Sequence, residues 1–365
     1  SLGLARNVIN NTVETSIKNV HQHQLTTPAD TDGFVTLTAT SNPSITAHAW
    51  AATVGFASGG AAAVSLSGAG AEAVNVILGS TKAFIVDSVL DASGRTSLTA
   101  TTEDAHLDAT VWGAAVSLAA GGGAGAGISI GSAMARNYVG FQEDGETPAP
   151  LEVEAYVKNS SITTSGDLNL WAQLNSTIES TVVSAAVAYS STPIAGGVGS
   201  GAGASSENIV NSKVRAYLDG DAENSAYVST GVIRAESIDL HAKDQSRITA
   251  FTGAAALAAS VGQSSIAVTI GTGLAWNTIS NDVSAYVANI DQDSSPISNN
   301  LTVLAESDAV ITAHAWAASI SATSGAAGLS ISGAGADALN VIRGNVDAYI
   351  LDSHLVVGGD VSVKS

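Results

Sequence analysis

The chain has 365 residues, of which 45% are hydrophobic but only 5% aromatic, and its 32 acidic and 13 basic residues give a formal net charge of −19. This acidic balance argues against a nucleic-acid partner, because phosphate binding requires clustered cations. The lack of cysteine excludes disulfide scaffolds and thiolate metal sites, and the high apolar content argues against intrinsic disorder.

One segment occurs twice with almost no change, as ITAHAWAAT at residues 45–53 and as ITAHAWAAS at residues 311–319. Two landmark positions in this segment, an apolar residue and the residue five positions later, also recur between the two copies. Recurrence at fixed spacing is the signature of a repeat architecture. The landmark pairs are Ile45/Trp50, Leu107/Trp112, Ile178/Val183, Ile248/Gly253 and Ile311/Trp316.

These landmarks divide residues 1–365 into one continuous array of similar units. Because both ends fall inside a unit, we expect the chain to be a fragment of a longer repeat protein. The predicted divisions are a partial unit 1–44, complete units 45–106, 107–177, 178–247 and 248–310, and a partial unit 311–365.

Each unit continues with an asparagine in an A-x-N-x-apolar setting and then with an aromatic residue. The asparagines are 68, 62, 71, 69 and 63 residues apart, and the aromatic usually follows nine residues later. Tyr156 follows its asparagine by 19 residues, because QEDGETPAP is inserted. The candidate structural ladders are Asn7, Asn75, Asn137, Asn208, Asn277 and Asn340, and Phe84, Tyr156, Tyr217, Tyr286 and Tyr349.

The asparagine segments alternate with a period of two, which predicts strands. In ALNVIRG, Ala338, Asn340 and Ile342 share one face. Parallel stacking would place equivalent side chains about 4.8 Å apart, so that amides and rings form ladders if each unit makes one broad rung. We therefore predict an all-β, repetitive β-solenoid, parallel β-helix-like, with broad rungs of about 62–71 residues. An array of long antiparallel β-hairpins, turning at sites such as residues 58–60, remains the alternative.

The segment from the second landmark to the asparagine has nearly constant length, whereas the remainder of the unit varies and contains polar, turn-rich insertions. In residues 111–133 neither alternating face is polar. Strands that are apolar on both faces are normally covered on both faces, so this arm is the candidate assembly surface. The uncharged run at residues 109–135 is long enough to span a membrane, but we interpret it as a buried β segment and expect no transmembrane segment.

Few residues indicate a chemical site. No common catalytic or phosphate-loop motif is present, so we expect no enzymatic activity. The HQHQ segment at residues 21–24 is a weak transition-metal signal. Acidic side chains in the variable loops can supply the oxygen ligands of Ca²⁺, the one cofactor that the sequence suggests. These metal candidates are Asp30, Asp32, Glu143, Asp144, Asp219, Asp221, Asp291 and Asp293.

Residues 346–365, 153–172 and 330–344 resemble the repeat regions of giant bacterial surface proteins of the filamentous-haemagglutinin or adhesin kind. The resemblance implies an extracellular or cell-surface β-rich stalk or fibre. The unit here is longer than the roughly 20-residue coil usual in haemagglutinin-type β-helices. The leading functional hypothesis is a structural segment of a fibre or adhesin stalk that associates with itself, head to tail or laterally. The alternative is a surface module that binds Ca²⁺ or glycans through its acidic loops.

Overall fold

The structure, a computed structural model, describes residues 1–20, 25–27, 33–220, 232–290 and 297–365. The described chain is all-β, with 83% strand and no helix. Its strands in chain order are β1 (Leu2–Lys18), β2 (Leu25–Thr26), β3 (Val35–Ser41), β4 (Ser44–Gly59), β5 (Ala62–Val86), β6 (Val89–Ala92), β7 (Thr96–Gly121), β8 (Ala124–Val139), β9 (Leu151–Lys158), β10 (Ser161–Thr164), β11 (Leu168–Ser191), β12 (Ala195–Asp219), β13 (Ile233–Arg234), β14 (Ile238–Val261), β15 (Ser264–Ala288), β16 (Leu301–Ser307), β17 (Val310–Ser324), β18 (Ala327–Leu351) and β19 (Val361–Lys364).

The described strands form three sheets. Sheet A has the order β1-β5-β8-β12-β15-β18, with β9 pairing to β5 and β12 after β8 ends; sheet B has the order β13-β10-β6-β2. Sheet C has the order β19-β16-β14-β11-β7-β3, with β4 and β17 pairing to β7 and β14. Every pairing between these strands is parallel, and each strand pairs with its equivalent one unit away. The predicted β-solenoid is confirmed, and the hairpin alternative is wrong because sequential strands face each other without pairing.

One rung shows how the chain runs. Strand β7 follows sheet C to Gly121, a tight turn reverses the chain, and β8 returns along sheet A. After residues 140–150 the chain continues as β9, turns a corner at Asn159 and forms β10 in sheet B. It then enters sheet C again as β11, one rung further on.

Each rung has two parts of different thickness. We call the part next to the tight turn the narrow arm, where only sheets A and C face each other. The rest of the rung is the wide arm, where all three sheets enclose the core. The narrow arm comprises residues 50–71 and their register partners 112–133, 183–204, 253–273 and 316–336.

The wide arm contains the large apolar side chains. Sheet C contributes Leu98 and Leu170, sheet A contributes Ile85, and sheet B contributes Leu90 and Ile162, all at most 1% exposed. Burial of such side chains contributes about 1.5–3 kcal/mol each and is the main driving force for folding. The core of the solenoid is therefore a continuous column that runs through the wide arms of successive rungs.

The insertion at residues 140–150 leaves sheet A without disturbing its register. It packs over the outer side of the sheet, where Val76, Leu78 and Tyr138 form a small buried cluster with Phe141. Pairing resumes at β9, where Glu152 lies opposite Ser80. Length variation is tolerated at this place because only an external loop changes.

Candidate functional site

The asparagines that recur in each unit form one continuous ladder along sheet A. Each side-chain Nδ2 donates to the Oδ1 of the asparagine in the next rung, with donor–acceptor distances of 2.8–2.9 Å. The four inner members are at most 1% exposed. The ladder gives every inner amide a donor and an acceptor partner without water, as buried polar groups require. Its members from end to end are Asn7, Asn75, Asn137, Asn208, Asn277 and Asn340.

The recurrent aromatic residues form a second ladder on the outer side of sheet A. Phe84, Tyr156, Tyr217, Tyr286 and Tyr349 stack with ring centroids 4.8–4.9 Å apart and nearly parallel planes. Tyr156 keeps its place despite the insertion before it. At the other end the Lys18 ammonium lies 4.4 Å from the Phe84 ring centroid and covers the face that has no ring neighbour.

Charged side chains of alternating sign lie beside the aromatic ladder. Glu14, Lys82, Glu154 and Arg215 occupy one register column. Lys82 is 3.0 Å from Glu154 and 2.6 Å from Glu152. Partial burial lowers the pKa of Lys82, but the hydrogen bond with Glu152 and the charge of Glu154 outweigh this and raise it. This column neutralises charge locally, so that acidic rungs can stack.

The corner between sheets A and B repeats a short motif that the sequence reasoning missed. In five of the six rungs of sheet A, the residue after the strand has a left-handed backbone, with φ values of 42–58°. In the remaining rung β12 is followed by Gly220. Asparagine and aspartate tolerate this region better than other non-glycine residues, so an Asn or Asp three residues after four of the five ladder aromatics was the available signal. The corner residues are Asn19, Asp87, Asn159, Asn289 and Asp352.

In the core of the wide arm the carboxylate of Asp244 is fully buried. Asp244 accepts hydrogen bonds from Ser212, Ser246 and Asn281 at 2.7, 2.8 and 2.5 Å. Its equivalents in neighbouring rungs are Leu174 and Ser307. Burial raises the pKa of Asp244 to about 6, although the serine hydrogen bonds oppose the rise. The available sequence signal was its alternation in phase with Leu240 and Ala242, which places Asp244 on the inner face of β14.

The second landmark of each unit is an outward position at the base of the narrow arm. Trp50, Trp112, Val183, Gly253 and Trp316 lie in one register column. A Cβ added at Gly253 would collide with the indole ring of Trp316, which leans over the preceding rung. The tryptophan is thus accommodated by a small neighbour, which explains why the landmark varies.

Inside the narrow arm the two sheets lie unusually close. A Cβ added at Gly113 would collide with the main-chain carbonyl of Ser132 on the facing sheet. Side-chain hydroxyls reach directly across to carbonyl oxygens, from Ser117 to Ser65 at 2.8 Å and from Ser200 to Ala186 at 2.8 Å. Glycine, alanine and serine at most inward positions permit this approach, and Val198 and Thr269 are among the largest side chains buried between the two sheets.

Outside, both surfaces of the narrow arm are apolar. We call the sheet C surface the tryptophan face; it consists of the register columns of Trp112, Ala114, Val116 and Leu118. We call the sheet A surface the glycine face; it consists of the columns of Ala126, Ile128, Ile130 and Ser132. In inner rungs Trp112 is 52% exposed, and Ile130 and Ile270 are 57% and 58% exposed.

The acidic loop residues do not converge in the part of the chain that the structure describes. The Glu143 carboxylate forms an ion pair with Arg6. Asp144 accepts hydrogen bonds from the Thr147 hydroxyl and from the main chain of residues 146 and 147, which lower its pKa, so it stabilises its own turn. Asp219 lies 3.0 Å from Asn289 Nδ2 and 3.7 Å from Lys158.

Among the described residues, no group of three or more His, Asp or Glu side chains could hold a metal ion. The other candidates lie outside the described residues. They are the HQHQ segment at residues 21–24, and Asp30, Asp32, Asp221, Asp291 and Asp293.

The described residues form no helix, so none of them belongs to a helix long and apolar enough to cross a membrane. Comparison of the chain with protein-family models, with curated proteins and with solved structures found no match. Its function is therefore inferred from the geometry of the rungs.

Proposed function

We propose that this chain is a structural segment of an extracellular bacterial fibre or adhesin stalk, in which rungs stack to form a rigid rod. The supporting observation is the in-register stacking of the rungs, with one Asn ladder that runs from end to end and one aromatic ladder that spans five rungs. A repeat that contacts only its neighbours forms a rod whose stiffness comes from nearest-neighbour interfaces.

The ends of the solenoid favour association with further rungs. In sheet A, β1 and β18 are the terminal strands, and each has a strand partner on one side only. Their free edges offer main-chain donors and acceptors, together with Asn7 and Asn340 at the ends of the asparagine ladder. An open edge of this kind is a template for strand addition. A second copy presents the same spacing and can extend the asparagine ladder, because Asn340 of one copy then meets Asn7 of the next.

The extracellular assignment rests on the resemblance of the repeats to bacterial surface proteins, and the absence of cysteine is compatible with export. The stalk role requires length and stiffness rather than a pocket. Both ladders suit this role, because the asparagine ladder is buried and the stacked aromatic rings expose only their edges. The inner rings of the aromatic ladder hide their faces from any sugar ligand.

Negative-stain microscopy of the purified chain over a range of concentrations tests the proposal. We expect rods that lengthen with concentration in steps of one chain, because association adds whole solenoids. Uniform compact particles at every concentration would contradict it.

A proline variant tests whether rods grow through the strand edge. The Gly70 N–H donates to the Ser1 carbonyl, so the even-numbered N–H groups of β1 point to the free edge. We expect Val8→Pro to remove one of these donors and to shorten the rods, while circular dichroism stays unchanged. Val8→Thr keeps the N–H and serves as the control. Equal rod lengths for both variants would exclude growth through this edge.

A further inference from the structure

The narrow arm is a flat blade whose two outer surfaces have no partner in the isolated chain. Each face spans five strands and about nine residues, so strand spacing and rise give an area of ~700 Å² per face. The largest apolar patch on a typical monomer is about 300–600 Å². Stacking one face on another would bury about 1,400 Å² in total, which is within the range of stable protein interfaces.

Charge separates the narrow arm from the rest of the chain. All 13 basic and 32 acidic residues lie outside the narrow arm, which has no Asp, Glu, Lys or Arg in any of its five rungs. Two copies that each carry a formal charge of −19 repel each other wherever their acidic surfaces meet. The narrow arm is a surface at which two copies can meet without bringing carboxylates together.

The two faces differ in relief. The tryptophan face projects Trp112 and, one rung away, Trp50 and Phe56. The glycine face is recessed along its middle rung, where a Cβ at Gly197 or Gly199 would meet nothing within 4 Å. Isoleucines of the neighbouring rungs flank this trough. Beside the tight turn, a depression of about 580 Å³ crosses all five rungs and meets the trough at Gly197.

We propose that the tryptophan face of one copy packs on the glycine face of a second copy, so that solenoids associate side by side. The inference rests on the proposed structural role and adds the partner and the contact surface. A second copy suits both faces because its side chains repeat at the same strand spacing of about 4.8 Å. Projecting and recessed faces make the contact heterologous, so lateral growth does not close after two copies.

Two complementary charge variants, each carrying Val8→Pro to reduce end-to-end growth, test this arrangement by sedimentation velocity. Ala114→Glu places a charge on the tryptophan face, and Gly199→Glu places one in the trough of the glycine face. Each variant alone is expected to weaken lateral association at least tenfold. Ala114→Glu keeps an intact glycine face, and Gly199→Glu keeps an intact tryptophan face. An equimolar mixture is therefore expected to form side-by-side 1:1 pairs to which no third copy adds laterally. Thr99→Glu adds the same charge to the outer side of the wide arm and is expected to change association less than twofold.

The outcomes distinguish other contacts. Side-by-side association of Gly199→Glu alone would show that tryptophan faces pair with each other, and side-by-side association of Ala114→Glu alone would show that glycine faces do; either result overturns the proposal. Flotation of the wild-type chain with phosphatidylcholine vesicles, lost in Ala114→Glu, would assign the arm to a lipid surface instead. Circular dichroism confirms that each variant is folded.

Failure of lateral packing and failure of the fibre function give different results. If only the lateral proposal is wrong, rods still lengthen end to end and Ala114→Glu leaves both their length and their width unchanged. If the fibre function is wrong, no rods form in any variant. A wild-type chain that shows no lateral association at any concentration overturns the inference.

Discussion

The wide arm and the narrow arm are built from the same parallel strands, yet they are stabilised in different ways. The wide arm buries Leu, Ile and Val between three sheets, together with the asparagine ladder, and carries the charged columns outside. The narrow arm buries almost nothing larger than serine or valine, and its apolar side chains point outward. The wide arm buries its large apolar side chains within the chain, whereas the narrow arm leaves those of its outer faces exposed.

This difference explains why the length of the narrow arm is nearly constant while that of the wide arm varies. The narrow arm has nearly constant length because its two sheets touch through their backbones, and an inserted residue would shift every cross-sheet contact. The wide arm accepts the loop at residues 140–150, because the loop leaves the sheet and register resumes at β9. We therefore expect substitutions in the wide arm to lower stability by removing hydrogen-bond partners. In the narrow arm we expect them to lower stability by steric clashes between the two sheets.

The largest effect is expected from breaking the asparagine ladder. Asn208→Leu leaves the amide donor of Asn137 and the amide oxygen of Asn277 buried without a partner. Each orphaned group costs about 1–3 kcal/mol, so we expect a loss of about 2–5 kcal/mol in urea unfolding. Asn169→Leu, on the outer side of β11, is the control and should stay within about 0.5 kcal/mol. Equal stability of Asn208→Leu and wild type would mean that the ladder contributes nothing.

The second prediction concerns the buried carboxylate. In the folded chain the pKa of Asp244 is about 6, above the unfolded value of about 3.9, so folding favours its protonated form. Its contribution to stability is complete below about pH 4 and is lost as the pH rises through 6, a change of up to about 3 kcal/mol.

Asp244→Asn removes this dependence, and the comparison is made by urea unfolding between pH 4 and pH 8. We expect the variant to gain relative to wild type as the pH rises. Asp337→Asn replaces an exposed aspartate in β18 and controls for the change in net charge. A constant difference between Asp244→Asn and wild type across the range would show that Asp244 does not titrate there.

The third prediction tests the close approach of the sheets in the narrow arm. Gly113→Ala forces a methyl group against the Ser132 carbonyl, and the overpacking is expected to cost about 1–3 kcal/mol. Gly199→Ala points its methyl group into open space and should be neutral or stabilising by up to about 1 kcal/mol. The unfolding temperatures of Gly113→Ala and Gly199→Ala measure the difference in stability. Equal unfolding temperatures would mean that the two sheets can move apart without cost.

The smallest effect is expected from the aromatic ladder. Tyr217 stacks on two rings and Tyr349 on one, and each stacked pair contributes about 0.5–1.5 kcal/mol beyond burial. Tyr217→Leu should therefore lose about twice as much stability as Tyr349→Leu. The ratio is measured by thermal unfolding under the same conditions. If the terminal substitution costs as much as the inner one, ring stacking is not the source of the stability.

Much of the architecture could be predicted from periodicity. The spacing of Asn137 and Asn208 indicated one broad rung per unit, because three short coils would have placed them too far apart to bond. The aromatic at Tyr156 was identified across an insertion from its local setting alone. The corner residue Asn159 was missed, although an Asn or Asp recurs at this place in most rungs, because side-chain periodicity does not report a left-handed backbone. The interior position of Asp244 was missed, although Asp244 shares the inner face of β14 with Leu240 and Ala242, because carboxylates are seldom fully buried.

The sequence by itself determined the repeat, the strand alternation and the positions that recur in every rung, because these depend on local spacing and on a strand period of two. Only the tertiary structure decided which face of the narrow arm points inward and how closely its sheets approach. An arm that is apolar on both faces has no preferred inner side in its sequence. The choice is made where the wide arm fixes the register, and it leaves Trp112 and Ile130 outside.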